Sequence, residues 1–186
     1  MKLNLGCGFN KRPGYINVDK FGEPDIRHDL ESFPWPWQDN LFEEVQLIHV
    51  LEHLGKDPDS FVCIIKELFR ICKNGARIFV AVPHPRHDDF LSDPTHVRPI
   101  TPLLMSLFSR RENLNWQAAN AANSLLALYH NVDFELRNVT YVLESRYAEA
   151  LSSGRLSKAE IDLLVLERNN VATEIRMELE VIKAVT

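Results

Sequence analysis

Short apolar runs, each cut off by glycine, proline or an acid, set the pattern of the first half of the chain. Leu3-Asn4-Leu5 stops at Gly6-Cys7-Gly8, and Tyr15-Ile16-Asn17-Val18 stops at Asp19. Asp25-Ile26-Arg27-His28 gives way to Asp29-Leu30, and Glu44-Val45-Gln46-Leu47-Ile48 to His49. A fifth run, Ala76-Arg77-Ile78-Phe79-Val80-Ala81-Val82, ends at Pro83. Brief runs rich in Val, Ile and Phe predict strands. Between the fourth and fifth, Phe61, Ile64, Ile65, Leu68, Phe69 and Cys72 recur at helical spacing. A helix is therefore predicted over 59–72, capped by Asp59 or Ser60 and stopped by Lys73-Asn74-Gly75. Strand, helix and strand at this spacing make a βαβ unit with parallel strands.

The second half mixes the two periods. Thr101 and Pro102 open a predicted helix that runs to Ser109. Further helices are predicted over 118–129 and 156–168. Residues 134–143 and 172–182 alternate as strands, the latter with Ile175, Met177, Leu179 and Val181 on one face. The fold class is α/β.

The chain has 186 residues, 45% hydrophobic and 25% charged, so one domain over 1–186 can bury a core without staples. The net charge of -5 and the lack of basic clusters argue against a nucleic-acid partner. No apolar run reaches the roughly 18–20 residues of a membrane span. Cys7, Cys63 and Cys72 form no zinc spacing, and an odd, sparse set suits a reducing compartment. The first residues enter a strand at once and leave no room for a signal peptide. A cytoplasmic protein is expected.

Chemistry gathers at the ends of the predicted strands. Glycines at Gly6 and Gly8 allow unusual backbone angles and close approach of a ligand to the main chain. At the carboxyl end of a first strand in an open α/β sheet, that ligand is usually nucleotide-like. Asp19, ending the second strand, can accept from both hydroxyls of a ribose. Asp29, ending the third, can accept from an exocyclic amine such as that of adenine.

These residues also carry a family resemblance. Leu3-Asn4-Leu5-Gly6-Cys7-Gly8 resembles motif I of class I S-adenosylmethionine (SAM)-dependent methyltransferases. Asn17-Val18-Asp19 resembles the acidic end of their second strand. His28-Asp29-Leu30, Phe33-Pro34-Trp35-Pro36 and Asp39-Asn40-Leu41-Phe42-Glu43-Glu44-Val45 are similar, in order, to the stretch that follows it. His49-Val50-Leu51-Glu52-His53-Leu54 is similar to the family's H-V-L-E-H-L run, and Glu67 to Ile78 to its E-x-x-R-V-L-K-P-G-G-x-L run. The match covers residues 3 to about 83.

The resemblance implies a Rossmann-like, mostly parallel sheet with an antiparallel last strand, SAM as cofactor and a small-molecule methyl acceptor. It implies that Gly6, Cys7 and Gly8 pass under the methionine part of SAM. Asp19 would hold the ribose, and Asp29 with the backbone of Leu30 the adenine. His49 would lie beside the methyl region. Glu52 and His53 are read instead as packing at a helix start. A crossover helix needs about a dozen residues, more than Gly6 to Gly14 provides, so the first helix is expected to be reduced or absent. That shortening resembles a subgroup of small methyltransferases of type 11 character. An NAD-dependent oxidoreductase fits less well: Lys11 stands where the third glycine of G-x-G-x-x-G belongs, and Asp19 follows Gly8 by eleven residues. A SAM-fold protein that binds a partner without catalysis is the other alternative.

The loop after the fifth strand, residues 83–102, holds His84, His87, His96, Asp88, Asp89, Asp93, Arg86 and Arg98. Its Asp93-Pro94-Thr95-His96-Val97-Arg98 run resembles D-P-T-H-x-R in the same subgroup. Three readings stay open. His84, His87 or His96 could remove a proton from the acceptor, as the ordinary imidazole pKa allows. His84, His87, Asp88 and His96 could hold a metal, although the resemblance implies chemistry without one. The loop could equally be held by its own hydrogen bonds. Segments 84–130 and 145–170 are expected to cover the site, and the latter could instead form a homodimer contact.

Overall fold

A computed structural model describes residues 1–183. The five apolar runs become β1 (Lys2–Leu5), β2 (Ile16–Asp19), β3 (Ile26–Arg27), β4 (Phe42–Ile48) and β5 (Cys72–Pro83). The alternating segments become β6 (Phe134–Leu143) and β7 (Ala172–Val181). Among the described residues they form one seven-stranded sheet in the order β3-β2-β1-β4-β5-β7-β6. Every pairing up to β5 is parallel, and β7 runs antiparallel to both β5 and β6. This is the mostly parallel sheet with an antiparallel last strand that the sequence implied. The segment between β1 and β2 contains turns and no helix, as its length required.

The helix between β4 and β5, α1, spans Pro58–Ile71. Its cap is Asp57 rather than Asp59 or Ser60. The Asp57 carboxylate accepts from Ser60 N–H, and Pro58 takes the first helical position, where its missing N–H is no loss. Phe61, Ile64, Ile65, Leu68 and Ile71 are buried against the sheet. No loop follows at Lys73-Asn74-Gly75. Cys72 turns extended at once and pairs with Phe42, so β5 starts where the helix stops.

Trp35 and Trp37 pack beside α1 in edge-to-face contact, 6.0 Å between rings, with Phe42 5.8 Å beyond. Arg70 locks their loop: its guanidinium donates to the carbonyls of Trp35 and Trp37 and to Glu67 and Asp39. Trp35 Nε1–H donates to the Leu30 carbonyl at 3.0 Å, so the same loop fixes the chain just after β3.

After β5 come α2 (Asp88–Leu91), α3 (Pro102–Ser106), α4 (Arg110–Ala118) and α5 (Leu126–His130). Thr101 caps α3 as expected, accepting from Leu104 N–H. The single helix expected over 118–129 is not there. Asn120 adopts a left-handed conformation (φ 51°), which ends α4. The fully buried Asn113 carboxamide then accepts from Ala127 N–H at 3.0 Å and from Leu128 N–H at 3.4 Å, starting α5 afresh. Between β6 and β7 lie α6 (Ser145–Ser152) and α7 (Lys158–Glu167), the latter opened by a capping box of Ser157 and Glu160. Ile161, Val165, Val171 and Ala172 form a small apolar cluster of their own. No helix among the described residues is long and apolar enough to cross a membrane.

Candidate functional site

The five parallel strands bring their carboxyl ends to one edge. After β1 the chain turns through Gly6 (φ 65°) and Gly8 (φ 50°), angles that favour glycine. The two glycines do different work. A Cβ on Gly6 would stand 2.4 Å from Val50 Cγ2, so this residue is fixed by packing. At Gly8 nothing lies within 4 Å of a Cβ position, and its backbone faces open space. Cys7 is buried between them; its N–H donates to the Val18 carbonyl at 3.0 Å, and burial pushes its thiol pKa up.

Asp19, at the tip of β2, organises the neighbouring loops. One carboxylate oxygen accepts from Gly8 N–H and the other from Phe21 N–H, each at 2.8 Å. A carboxylate oxygen has two acceptor sites, so each retains one for a ligand. Asp29 accepts from Glu31 N–H at 3.1 Å and lies 3.5 Å from Lys20 Nζ. His49 leaves β4 in a left-handed conformation (φ 56°), uncommon for a residue with a side chain. Its Nδ1 lies 3.5 Å from Glu52 and its Nε2 2.7 Å from Glu174 on β7. Glu52 first, then Glu174, raises the imidazole pKa against the opposing effect of burial.

Gly6, Asp19, Asp29, Leu30 and His49 line one cleft of about 170 Å³, together with Phe21, Val50 and His53. Of the residues expected to hold a cofactor, Cys7 lies buried and Gly8 connects through its bond to Asp19. A second cleft of about 360 Å³ is lined by His49, Glu52, His53, Asp89, His96 and Glu174, among others. His49 and His53 are walls of both. A larger cleft of about 730 Å³ sits at the opposite end of the strands, beside Lys66, Arg70 and Asp133, away from all of these groups.

The three loop histidines separate. His84 Nδ1 accepts from Arg86 N–H at 3.2 Å, and its ring meets Tyr141 edge-on. Burial, then Arg86 and His87, lowers its pKa. His87 caps α2 by accepting from Asp89 N–H at its Nδ1, and its Nε2 pairs with Glu144 at 2.9 Å. Neither lines the two clefts; His96 lines the second. Among the described residues, His84, His87, Asp88 and His96 do not come within common ligand distance.

Glu52 and His53, read from the sequence as packing at a helix start, also reach the clefts. They lie in a 3₁₀ turn, Leu51–His53, ahead of α1. Phe21, 69% exposed beside Asp19, was the other wall left unread.

No protein-family model and no curated protein matches this sequence. Solved structures do. A SAM-dependent methyltransferase from Archaeoglobus fulgidus is 18% identical, with a TM-score of 0.58, over 96% of this chain and 85% of that one. One from Methanosarcina mazei is 13% identical, with a TM-score of 0.54, over 98% and 92%. The 1,6-didemethyltoxoflavin-N1-methyltransferase of Burkholderia thailandensis, with 1,6-didemethyltoxoflavin and S-adenosylhomocysteine bound, is 10% identical, with a TM-score of 0.54, over 98% and 71%. The strand order, the placement of β7 and these likenesses agree: the chain has the class I SAM-dependent methyltransferase fold.

Proposed function

We propose that this protein is a SAM-dependent methyltransferase that modifies a nitrogen or oxygen of a small molecule. The observation that carries this reading is the cleft in which Gly6, Asp19, Asp29, Leu30 and His49 meet at the strand tips. The residues fit an adenosyl ligand. Asp19 offers one free acceptor site on each oxygen for a pair of ribose hydroxyls. Asp29 offers an acceptor for an exocyclic amine, Phe21 an exposed apolar ring, and Gly8 an unobstructed backbone.

When bound, SAM supplies a methyl group made electrophilic by its sulfonium. The chain's own task is alignment and exclusion of water. The second cleft shares His49 and His53 with the first, so an acceptor there lies beside the donor's site. His96 is the loop histidine that faces it. The Burkholderia relative in fold, a small-molecule N-methyltransferase by its description, supports an acceptor of this class. Segment 84–98 covers the acceptor side, braced by 145–170: Arg86 donates to the Leu166 carbonyl, and Asp88 N–H donates to Asn170.

Calorimetry with SAM and S-adenosylhomocysteine is the direct test. Micromolar binding is expected, and no binding of either would end this reading. The missing helix after β1 favours a second reading, a SAM-fold protein that acts by binding a partner. Turnover of labelled SAM across an acceptor panel separates the two.

A further inference from the structure

We propose that Glu52, His53 and His96 form a site for a divalent transition-metal ion such as zinc. One donor atom from each lies within 4.8 Å of the others. Two segments supply them: the 3₁₀ turn after β4 and the loop after α2. Val97 N–H donates to the Glu52 carbonyl at 2.8 Å, joining the two segments through the backbone.

The hydrogen bonds around the two imidazoles leave their outer nitrogens without a hydrogen-bond partner, His96 Nε2 lying 3.9 Å from an Asp93 carboxylate oxygen. The Thr95 hydroxyl is 2.6 Å from an Asp93 carboxylate oxygen and 2.9 Å from His53 Nδ1. A carboxylate only accepts, so Thr95 gives its proton to Asp93 and its oxygen accepts from His53 Nδ1–H. In the neutral ring, His53 Nε2 therefore carries a lone pair. His96 Nδ1 is 2.9 Å from the Phe90 carbonyl, which also only accepts, so His96 Nε2 carries one too. Anchoring one ring nitrogen on an oxygen acceptor while the other stays bare is how proteins orient metal-binding histidines.

Glu52 supplies the second, independent sign. Its side chain is fully buried, and neither carboxylate oxygen has a hydrogen-bond partner. The nearest basic nitrogen, His49 Nδ1, stands at 3.5 Å. A buried carboxylate without donors is expensive to maintain, and a cation between it and the two imidazoles would satisfy all three. Tetrahedral ligands at about 2.0–2.2 Å from one ion stand about 3.3–3.6 Å apart, so side-chain shifts of up to about 1.5 Å close the set. Two imidazoles and one carboxylate suit zinc, iron, cobalt or nickel better than magnesium or calcium. Three protein ligands leave coordination positions open, and these border the second cleft. Only the use of those positions by an acceptor rests on the methyltransferase reading; the metal site does not.

The test uses the full chain, stripped with a chelator and titrated with Co²⁺ followed by its visible absorption, and with Zn²⁺ by calorimetry. One ion per chain at micromolar or tighter affinity is expected. H53A and H96A should each weaken binding roughly a hundredfold or more, and T95V, which removes the anchor of His53, about 10–100-fold. E52Q should match the histidine variants, but a buried position can fail to fold, so H53A and H96A decide. No uptake below about 100 μM, or uptake unchanged in both H53A and H96A, overturns the site. S-adenosylhomocysteine binding measured on the same stripped protein keeps the two readings apart: a chain that binds the nucleoside but no metal loses this site and keeps its proposed function.

Discussion

The carboxylate of Asp19 accepts the backbone N–H of Gly8 across 2.8 Å, so the tip of the second strand holds the loop that leaves the first. The same carboxylate faces the cleft. On the proposed function, organisation of the loop and recognition of the ligand rest on this one side chain.

D19A should therefore lose most affinity for S-adenosylhomocysteine. Hydrogen bonds to a charged group contribute about 1.5–3 kcal/mol, which corresponds to roughly 10–100-fold in dissociation constant. Calorimetric titration reads this directly, with a thermal melt to show that the variant folds. An affinity equal to wild type would remove Asp19 from the site.

Gly6 is held by geometry rather than by a ligand. G6A forces a side chain into a left-handed backbone and against Val50 Cγ2 at 2.4 Å. Strain of this kind costs about 1–2 kcal/mol and overpacking about 1–3 more. Urea unfolding should show a loss of about 2–5 kcal/mol. The double variant G6A/V50A should be less damaged than the sum of the two single changes, because the clash is shared between them.

Glu67 ties the tryptophan loop to α1 and sets an acid limit on stability. Its carboxylate accepts from Arg70 and from Trp35 N–H, and Arg70 foremost holds its pKa below the ordinary glutamate value. A depressed carboxyl stabilises the folded state above the unfolded pKa, about 4.3, and loses that contribution as pH falls through the folded value. The stability gap between wild type and E67Q should be full near pH 7 and narrow below about pH 4. R70A, which removes the guanidinium shared by two carbonyls and the carboxylates of Glu67 and Asp39, should cost about 2–4 kcal/mol at neutral pH.

The thiols should divide by burial. Cys72 is fully buried and its pKa is pushed up to about 12, and burial also raises that of Cys7. The thiolate is the reactive form. Iodoacetamide at pH 8 should modify Cys63, which is partly exposed, and reach the other two only after denaturation. Mass spectrometry of the digested protein distinguishes the three positions.

Strands announced themselves because each apolar run ends at a turn residue with a local physical reason. β6 spans 134–143 in both sequence pattern and structure, and β7 buries Ile175, Met177, Leu179 and Val181 on its core face. The absent first helix followed from chain length alone. The break after Ala118 did not show, because Asn113 caps α5 from fourteen positions upstream, a long-range contact that periodicity does not record. Asp19 and Asp29, which line the strand-tip cleft, were legible as strand ends. Glu52 and His53 were not: their place depends on burial and on which nitrogen of each ring is occupied, and both emerge only when Thr95 and Phe90 arrive from another segment. His84 and His87 looked chemically ready in one dimension and are engaged by Arg86, Asp89 and Glu144 in three.

The position of β7 also bears on how the molecule is made. β7 lies between β5 and β6 although it follows both in the chain. Until residues 172–181 leave the ribosome, β5 keeps an unpaired edge and β6 lacks its native neighbour. Such edges invite pairing with other chains. Synthesis must therefore run past residue 181 before the sheet can close, and a nascent chain stalled earlier keeps an edge open to other chains.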